Sequence, residues 1–212
     1  MERVYYSQDG EDKFLNDNYF HNKRNGIYVE LGALDGVLYS NTKFFEDKLN
    51  WKGILIEPNP YKFHILKQTR PNNFLSNSLV SSETEAIEFK FFVDGHAAVS
   101  GVTKTLPASH YEHYFDKYPG LPNGNAMIKP HTFTEIITAS NVKHIDLLSL
   151  DVEGHEYEVL KSWDFSVPID VILIELLQTD KERDEKCRKI LQENGYVFDK
   201  RFGRNEVFLL KK

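Results

Sequence analysis

The densest polar cluster in this 212-residue chain is Asp151-Val-Glu-Gly-His-Glu156, which directly follows the apolar run Leu147-Leu-Ser-Leu150. Asp151, Glu153 and His155 are the types of group that take a proton from a hydroxyl. An imidazole does so near neutral pH unaided, whereas a carboxylate needs a raised pKa or a metal. The plainer alternative is that Asp151 or Glu153 caps a helix starting near Glu156 and His155 is solvated. Glu175 ends another apolar run, and burying its carboxylate without a partner would cost several kcal/mol. It must therefore face a crevice or pair. Asp151 and Glu175 could share a hard divalent cation such as Mg²⁺, although two carboxylates alone are a thin metal signal.

A second constellation is Glu30-Leu-Gly-Ala-Leu-Asp-Gly36, followed by Ser40-Asn-Thr42. Gly32 and Gly36 permit a tight turn and close approach of backbone to a ligand. The turn departs from G-x-G-x-x-G, and Glu30 and Asp35 put carboxylates where a pyrophosphate needs N–H donors. A cationic ligand without phosphate, such as S-adenosylmethionine, suits these acids. A turn shaped by glycine, with Asp35 as turn former and Ser40 as helix cap, is the competing reading. Glu57 ends the next apolar run and is placed to accept from two ribose hydroxyls. Pro58 and Pro60 break that strand. Asn77 and Ser78 could reach an adenine edge, or satisfy nearby backbone instead.

These residues need a frame that brings strand ends together. Ile27–Leu31, Gly53–Glu57, Ile145–Leu150 and Val171–Leu176 are continuous apolar runs, as expected of strands buried on both faces. Asn41–Leu49, Tyr61–Thr69, Glu156–Lys161 and Lys181–Asn194 have helical spacing between them. The alternation predicts an α/β fold with a mostly parallel sheet and helices on both faces. In such a sheet, ligands collect outside the carboxyl ends of the strands, where strand order reverses. Phe74–Leu79 and Glu88–Val93 are further strand candidates, and Gly195–Arg201, Phe202–Asn205 and Glu206–Leu210 read as a terminal hairpin. Residues 94–130 lack a sustained period and are expected to be a lid or substrate loop, or a surface excursion.

Composition narrows the partners. With 41% hydrophobic and 27% charged residues, the chain is expected to form a single domain over residues 1–212. A net charge of −6 provides no basic field for nucleic acid. Cys187 cannot form an intrachain disulfide and is expected on a helix surface as an ordinary thiol. No signal peptide or membrane span is expected, so the expected setting is cytoplasmic. Oligomeric state is not readable, nor is whether the chain is part of a longer protein.

Taken together, Tyr6-Ser-Gln-Asp-Gly-Glu-Asp-Lys-Phe-Leu15, Tyr28-Val-Glu-Leu-Gly-Ala-Leu-Asp-Gly36, Ser40-Asn-Thr42, Trp51-Lys-Gly-Ile-Leu-Ile-Glu-Pro-Asn-Pro60 and Leu147-Leu-Ser-Leu-Asp-Val-Glu-Gly-His-Glu-Tyr-Glu-Val-Leu160 resemble the FkbM-type S-adenosylmethionine-dependent methyltransferases. The resemblance implies a seven-stranded Rossmann-like class I fold whose last strand is antiparallel. It puts Glu30, Gly32, Asp35 and Gly36 around the methionine part of the cofactor, with Ser40 and Asn41 alongside. Glu57, with Pro58 beside it, falls at the ribose, Asn77 and Ser78 near the adenine, and Asp151 beside the transferred methyl. Gln8 and Glu11 belong to an N-terminal signature that would fold over the cofactor; from the residues alone Ser7 reads as a helix N-cap. Members methylate hydroxyl oxygens, often on sugars, leaving S-adenosylhomocysteine.

The expected activity is O-methyl transfer to a sugar hydroxyl of a glycan or glycoconjugate, with Asp151 or His155 as base and Glu153 and Glu175 orienting the acceptor or holding a metal. His96, His110, Tyr111, His113 and Tyr114 would offer it stacking faces. O-methylation of a non-sugar small molecule and a non-catalytic adenosine-ligand module are the alternatives. An NAD-dependent oxidoreductase is disfavoured by the acids and the missing third glycine.

Overall fold

The computed structural model describes residues 4–118 and 120–211. The N-terminal reading is therefore followed from Val4 onward, with Met1 to Arg3 outside the described residues. Strands in chain order are β1 (Ile27–Leu31), β2 (Lys52–Ile56), β3 (Phe74–Ser76), β4 (Ile87–Phe92), β5 (Gly101–Val102), β6 (Asn123–Ile128), β7 (Ile145–Leu150), β8 (Ile169–Glu175), β9 (Tyr196–Phe202) and β10 (Asn205–Leu210). Helices are α1 (Glu11–Leu15), α2 (Lys43–Leu49), α3 (Pro60–Thr69), α4 (Ala108–His110), α5 (Phe133–Ser140), α6 (Glu156–Lys161) and α7 (Lys181–Glu193).

Seven strands form one sheet in the order β3-β2-β1-β7-β8-β10-β9. The five from β3 to β8 run parallel, while β10 is antiparallel to both β8 and β9. This is the expected Rossmann-like arrangement with an antiparallel C-terminal strand. The apolar runs are continuous because both faces are covered. Val29, Leu31, Ile54, Leu148 and Ile172 point to one side, against α5, α6 and α7. Tyr28, Leu55, Leu147 and Leu173 point to the other, against Leu15, Phe44, Phe45 and Leu66 of α1, α2 and α3. Strand order reverses between β1 and β7, so Gly32 and Asp151 meet at the switch point.

Residues 94–130 are more ordered than their sequence suggested. They contribute β5 and β6 to a separate three-stranded sheet, β5-β4-β6, with a helical stretch from Ala108 to Asp116 between them. The strand pattern was illegible because the inward side of β6, Asn123-Gly-Asn-Ala-Met-Ile128, half-buries Gly124 and Ala126 with only Ile128 as a large apolar residue. Asn59 anchors this sheet to the main one by donating Nδ2 to the Phe92 carbonyl at 2.9 Å. Gly10, not Ser7, occupies the N-cap position of α1 with φ +92, while the Ser7 hydroxyl donates to the Asp12 carboxylate at 2.6 Å and accepts the Asp12 amide of the first turn at 3.3 Å. Cys187 is buried on the inner side of α7 rather than exposed, and burial pushes its thiol pKa up. No helix among the described residues is long and apolar enough to cross a membrane.

Behind the first turn lies a fully buried guanidinium, Arg70. It donates to the Gly36 carbonyl at 2.8 Å, the Tyr28 hydroxyl at 2.6 Å and the Thr42 hydroxyl at 3.2 Å, and pairs with Glu46. Removing one partner of a buried ion pair strands the other. Arg70→Ala is expected to cost about 3–5 kcal/mol of stability, read from urea unfolding; a loss below about 1 kcal/mol would show that the network is not needed for folding.

Candidate active site

The carboxyl ends of the strands open into a cavity, the place where an open α/β sheet takes its ligand. Its floor follows the strand order. Glu57 and Pro58 line it from the end of β2, Glu30 and Gly32 from β1, Asp151, Glu153 and His155 from β7, and Glu175 from β8. Ala97, Ala98, Ser100, Gly101 and Val102 line it from the small sheet's side, and Gln8 and Arg204 complete the wall from opposite ends of the sequence. Asn41 and Ser78 also reach it.

Gly32 is required twice over. Its φ is +79, and a Cβ there would lie 2.0 Å from the Asp151 carbonyl oxygen. Leu34, Tyr39 and Glu153 also line the cavity with φ of 51, 60 and 54, conformations that side chains rarely adopt. Three strained non-glycine residues around one cavity mark a backbone held by its surroundings.

Glu30 and Glu57 hold this backbone. Glu30 accepts from the Ser40 hydroxyl at 2.9 Å, the Asn41 amide at 2.7 Å and the Thr42 hydroxyl at 2.6 Å. Burial raises its pKa, opposed by Arg70 and these donors. Glu57 accepts from the Leu34 and Asn59 amides at 2.8 and 2.7 Å, and burial carries its pKa to about 7. A carboxylate has about four lone-pair sites, so two remain on Glu57 for ligand hydroxyls.

Other expected site residues lie elsewhere. Asp35 accepts from the Val37 and Leu38 amides at 2.9 and 2.8 Å, the turn-forming role, and does not line the cavity. Gly36 faces away, where a Cβ would meet Arg70 and Leu66 at 2.6 Å. Ser40 lies behind Asn41, occupied by Glu30 and by capping the Lys43 amide. Asn77 donates to the Glu57 and Pro58 carbonyls and stays outside the cavity. His96, His110, Tyr111, His113 and Tyr114 also fall outside the cavity lining. They pack with one another and with Phe92 and Phe115.

His155 cannot serve as a free base. It caps the start of α6, buried, with Nδ1 3.0 Å from the Thr105 hydroxyl and Nε2 3.0 Å from the Ser81 hydroxyl. Burial lowers its pKa to about 4, so the ring is a neutral strut. Neither Asp151 nor Glu153 caps α6; the Glu156 carboxylate receives the Val152 and Gly154 amides at 3.2 and 3.0 Å.

Asp151, Glu153 and Glu175 remain as the reactive cluster, with ligand oxygens within 4.8 Å of one another. Arg204 Nε stands 3.1 Å from Glu175, and His110 Nε2 stands 3.0 Å from Glu153. The three carboxylates are close enough together to share a cation, with Arg204 approaching one oxygen of Glu175. Burial, then Glu175 and Glu153, hold the Asp151 pKa well above the usual range. Sequence reasoning missed Arg204, a lone cation in a hairpin turn. It also missed Asp12, which accepts from Tyr6, Ser7 and Lys13 amides and so shapes the strap carrying Gln8.

The family model "Methyltransferase FkbM domain" matches residues 30–198. Similar solved structures include a precorrin-6y C5,15-methyltransferase from Geobacter metallireducens, at 10% identity over 100% of this chain and 93% of that one, TM-score 0.47. Others are a TehB-like SAM-dependent methyltransferase from Corynebacterium glutamicum, at 11% identity over 95% and 88%, TM-score 0.46, and fibrillarin from Aeropyrum pernix with natively bound S-adenosyl-L-methionine, at 13% identity over 97% and 74%, TM-score 0.45. No curated protein matches the chain.

Two outcomes follow from this geometry. Calorimetry with S-adenosylhomocysteine should show Gly32→Ala weakening binding about 10–100-fold and Asp35→Asn changing it by less than about threefold; the reverse ranking would refute the lining described above. The folded state holds His155 neutral down to about pH 4, whereas the unfolded imidazole protonates near 6.5. Its support for the fold is thus complete above pH 6.5 and is lost as pH falls from 6.5 toward 4. Between pH 7 and 5 the wild type should lose about 1–2 kcal/mol more unfolding free energy than His155→Asn, measured by urea denaturation at both pH values.

Proposed function

The chain belongs to the FkbM methyltransferase family, and from that premise we propose that it transfers the methyl group of S-adenosylmethionine to a hydroxyl oxygen of a sugar. The observation that carries this reading is the trio Asp151, Glu153 and Glu175, gathered within 4.8 Å beside Gly32 at the switch point. A carboxyl group presents mostly acceptor oxygens, whether or not it carries a proton. A polyol, which brings several O–H donors close together, is the matching acceptor.

The strand order supports a consistent layout. Glu57 receives the ribose hydroxyls, the backbone at Gly32 and Asn41 takes the methionine part, and Ser78 borders the adenine. Asp151 then adjoins the methyl, and Glu175 with Glu153 orients the acceptor. The acceptor oxygen attacks the methyl carbon from the side opposite sulfur, so alignment supplies much of the rate. Asp151 accepts the hydroxyl proton as the O–C bond forms. The acceptor approaches past the small residues Ala97, Ala98 and Gly101, not past the aromatic residues of the 108–118 stretch.

Incubation with methyl-labelled cofactor and methyl glucoside, glucuronate or a phenol, followed by mass spectrometry, should show label on a sugar oxygen. Label on the phenol alone would overturn the sugar assignment. Asp151→Asn is expected to lower turnover at least about 100-fold while leaving S-adenosylhomocysteine affinity nearly unchanged. Turnover near the wild-type level would remove Asp151 as base.

A further inference from the structure

Five acidic side chains line the cavity, Glu30, Glu57, Asp151, Glu153 and Glu175, and among the described residues only one permanently cationic side chain does so, Arg204. Its turn is held in place. Gly203 turns the β9–β10 hairpin with φ +59, Asn205 pairs across to Glu175, and the Arg204 carbonyl accepts the Leu176 amide at 3.0 Å. The guanidinium uses little of its capacity there. It carries five N–H donors, and its closest approach to a carboxylate is by Nε, 3.1 Å from Glu175. Asp151, Glu153 and Asp9 attract it from farther off. Neither Nη group makes a hydrogen bond to the described residues. The Arg204 side chain is half-exposed and that of Glu175 is 5% exposed, so the guanidinium lies on the solvent side of the acids, at the cavity mouth.

Balancing Glu175 needs one positive charge, which a lysine would supply equally well. A planar fork with free ends is instead the shape that takes an external carboxylate through two parallel N–H bonds. Such an anion stops at the mouth, because the acids behind Arg204 repel it. We propose that Arg204 selects an acidic sugar as acceptor, a uronic acid whose carboxylate pairs with the free Nη groups while a ring hydroxyl enters the acid cluster. The inference rests on the sugar reading above and narrows it. A sugar phosphate fits less well, since a dianion with one guanidinium for a partner leaves charge uncompensated beside Asp9, Glu153 and Glu175. The cofactor's own carboxylate is the other anion to place. Gly32 and Asn41, which take the methionine part in that reading, lie at the β1 end, two strands from β8 and about 10 Å across the sheet. Arg204 therefore stands on the acceptor side.

Matched acceptors that differ only at C6 test this: the methyl glycosides of glucuronate and glucose, and those of galacturonate and galactose, each pair competing for labelled methyl from S-adenosylmethionine on the full chain. In the series that is methylated, the uronide should be preferred about 10-fold or more in kcat/KM. Arg204→Gln should bring that ratio close to one. Arg204→Lys, which keeps the charge beside Glu175 without the fork, should lose most of it. Equal use of both members by the wild type, a full preference surviving in Arg204→Lys, or faster labelling of glucose 6-phosphate than of the glucuronide would overturn the proposal. So would an S-adenosylhomocysteine affinity that falls in Arg204→Gln as far as the uronide ratio does, which would give the guanidinium to the cofactor. No label on any sugar while S-adenosylhomocysteine still binds would instead refute the sugar reading beneath it.

Discussion

A carboxylate buried at the end of β1 organises the first half of the molecule. Glu30 is almost inaccessible to solvent, and a charge there is tolerable only if it is paired and hydrogen-bonded. It therefore gathers Ser40, Asn41 and Thr42, which fixes the chain entering α2. Ser40 and Thr42 in turn receive Arg70, which ties Tyr28, Glu46 and the Gly36 carbonyl into the same network. The turn between β1 and α2 has little freedom left. Glu57 repeats the device one strand over by gripping Leu34 and Asn59. The acids at the strand ends shape backbone first, and only their remaining lone pairs face a ligand.

This double duty explains what could be read in the sequence. Strand positions were legible because a strand buried on both faces shows as an unbroken apolar run, as in Val171-Ile-Leu-Ile174. The terminal hairpin was legible through its Gly203 turn. The identity of the cavity-ending residues also followed from topology, since parallel strands must bring Gly32, Glu57, Asp151 and Glu175 to one edge. Partners were not legible. Nothing in the residue type separates Glu57, which keeps free lone pairs in the cavity, from Asp35, whose oxygen serves two neighbouring amides. His155 reads as a base because an imidazole accepts a proton near neutral pH unaided; the residues that silence it, Ser81 and Thr105, lie 74 and 50 positions away. Cys187 looked exposed from flanking charges, although one helical face can be buried amid a charged sequence.

The net charge of −6 also changes meaning. Part of it is concentrated where strands end, and several of those groups resist ionisation through burial. Glu57 and Glu156 both have pKa values near 7. Burial thus lowers the negative charge carried at neutral pH at these two sites, of which Glu57 lines the cavity.

The strap and the hairpin join opposite ends of the sequence. Phe14 stacks on Phe202 with centroids 4.4 Å apart, Tyr19 donates to Asp199 at 2.6 Å, and Asn205 reaches Glu11 at 3.3 Å. Gln8 and Arg204 stand in the cavity wall because of this seam. During synthesis, strands β1, β2 and β7 leave the ribosome long before Arg204 does. A nascent chain could then pack its parallel strands while the acid cluster still lacked its guanidinium. The cavity wall is complete only once β10 pairs with β8 and brings the turn carrying Arg204 beside Glu175.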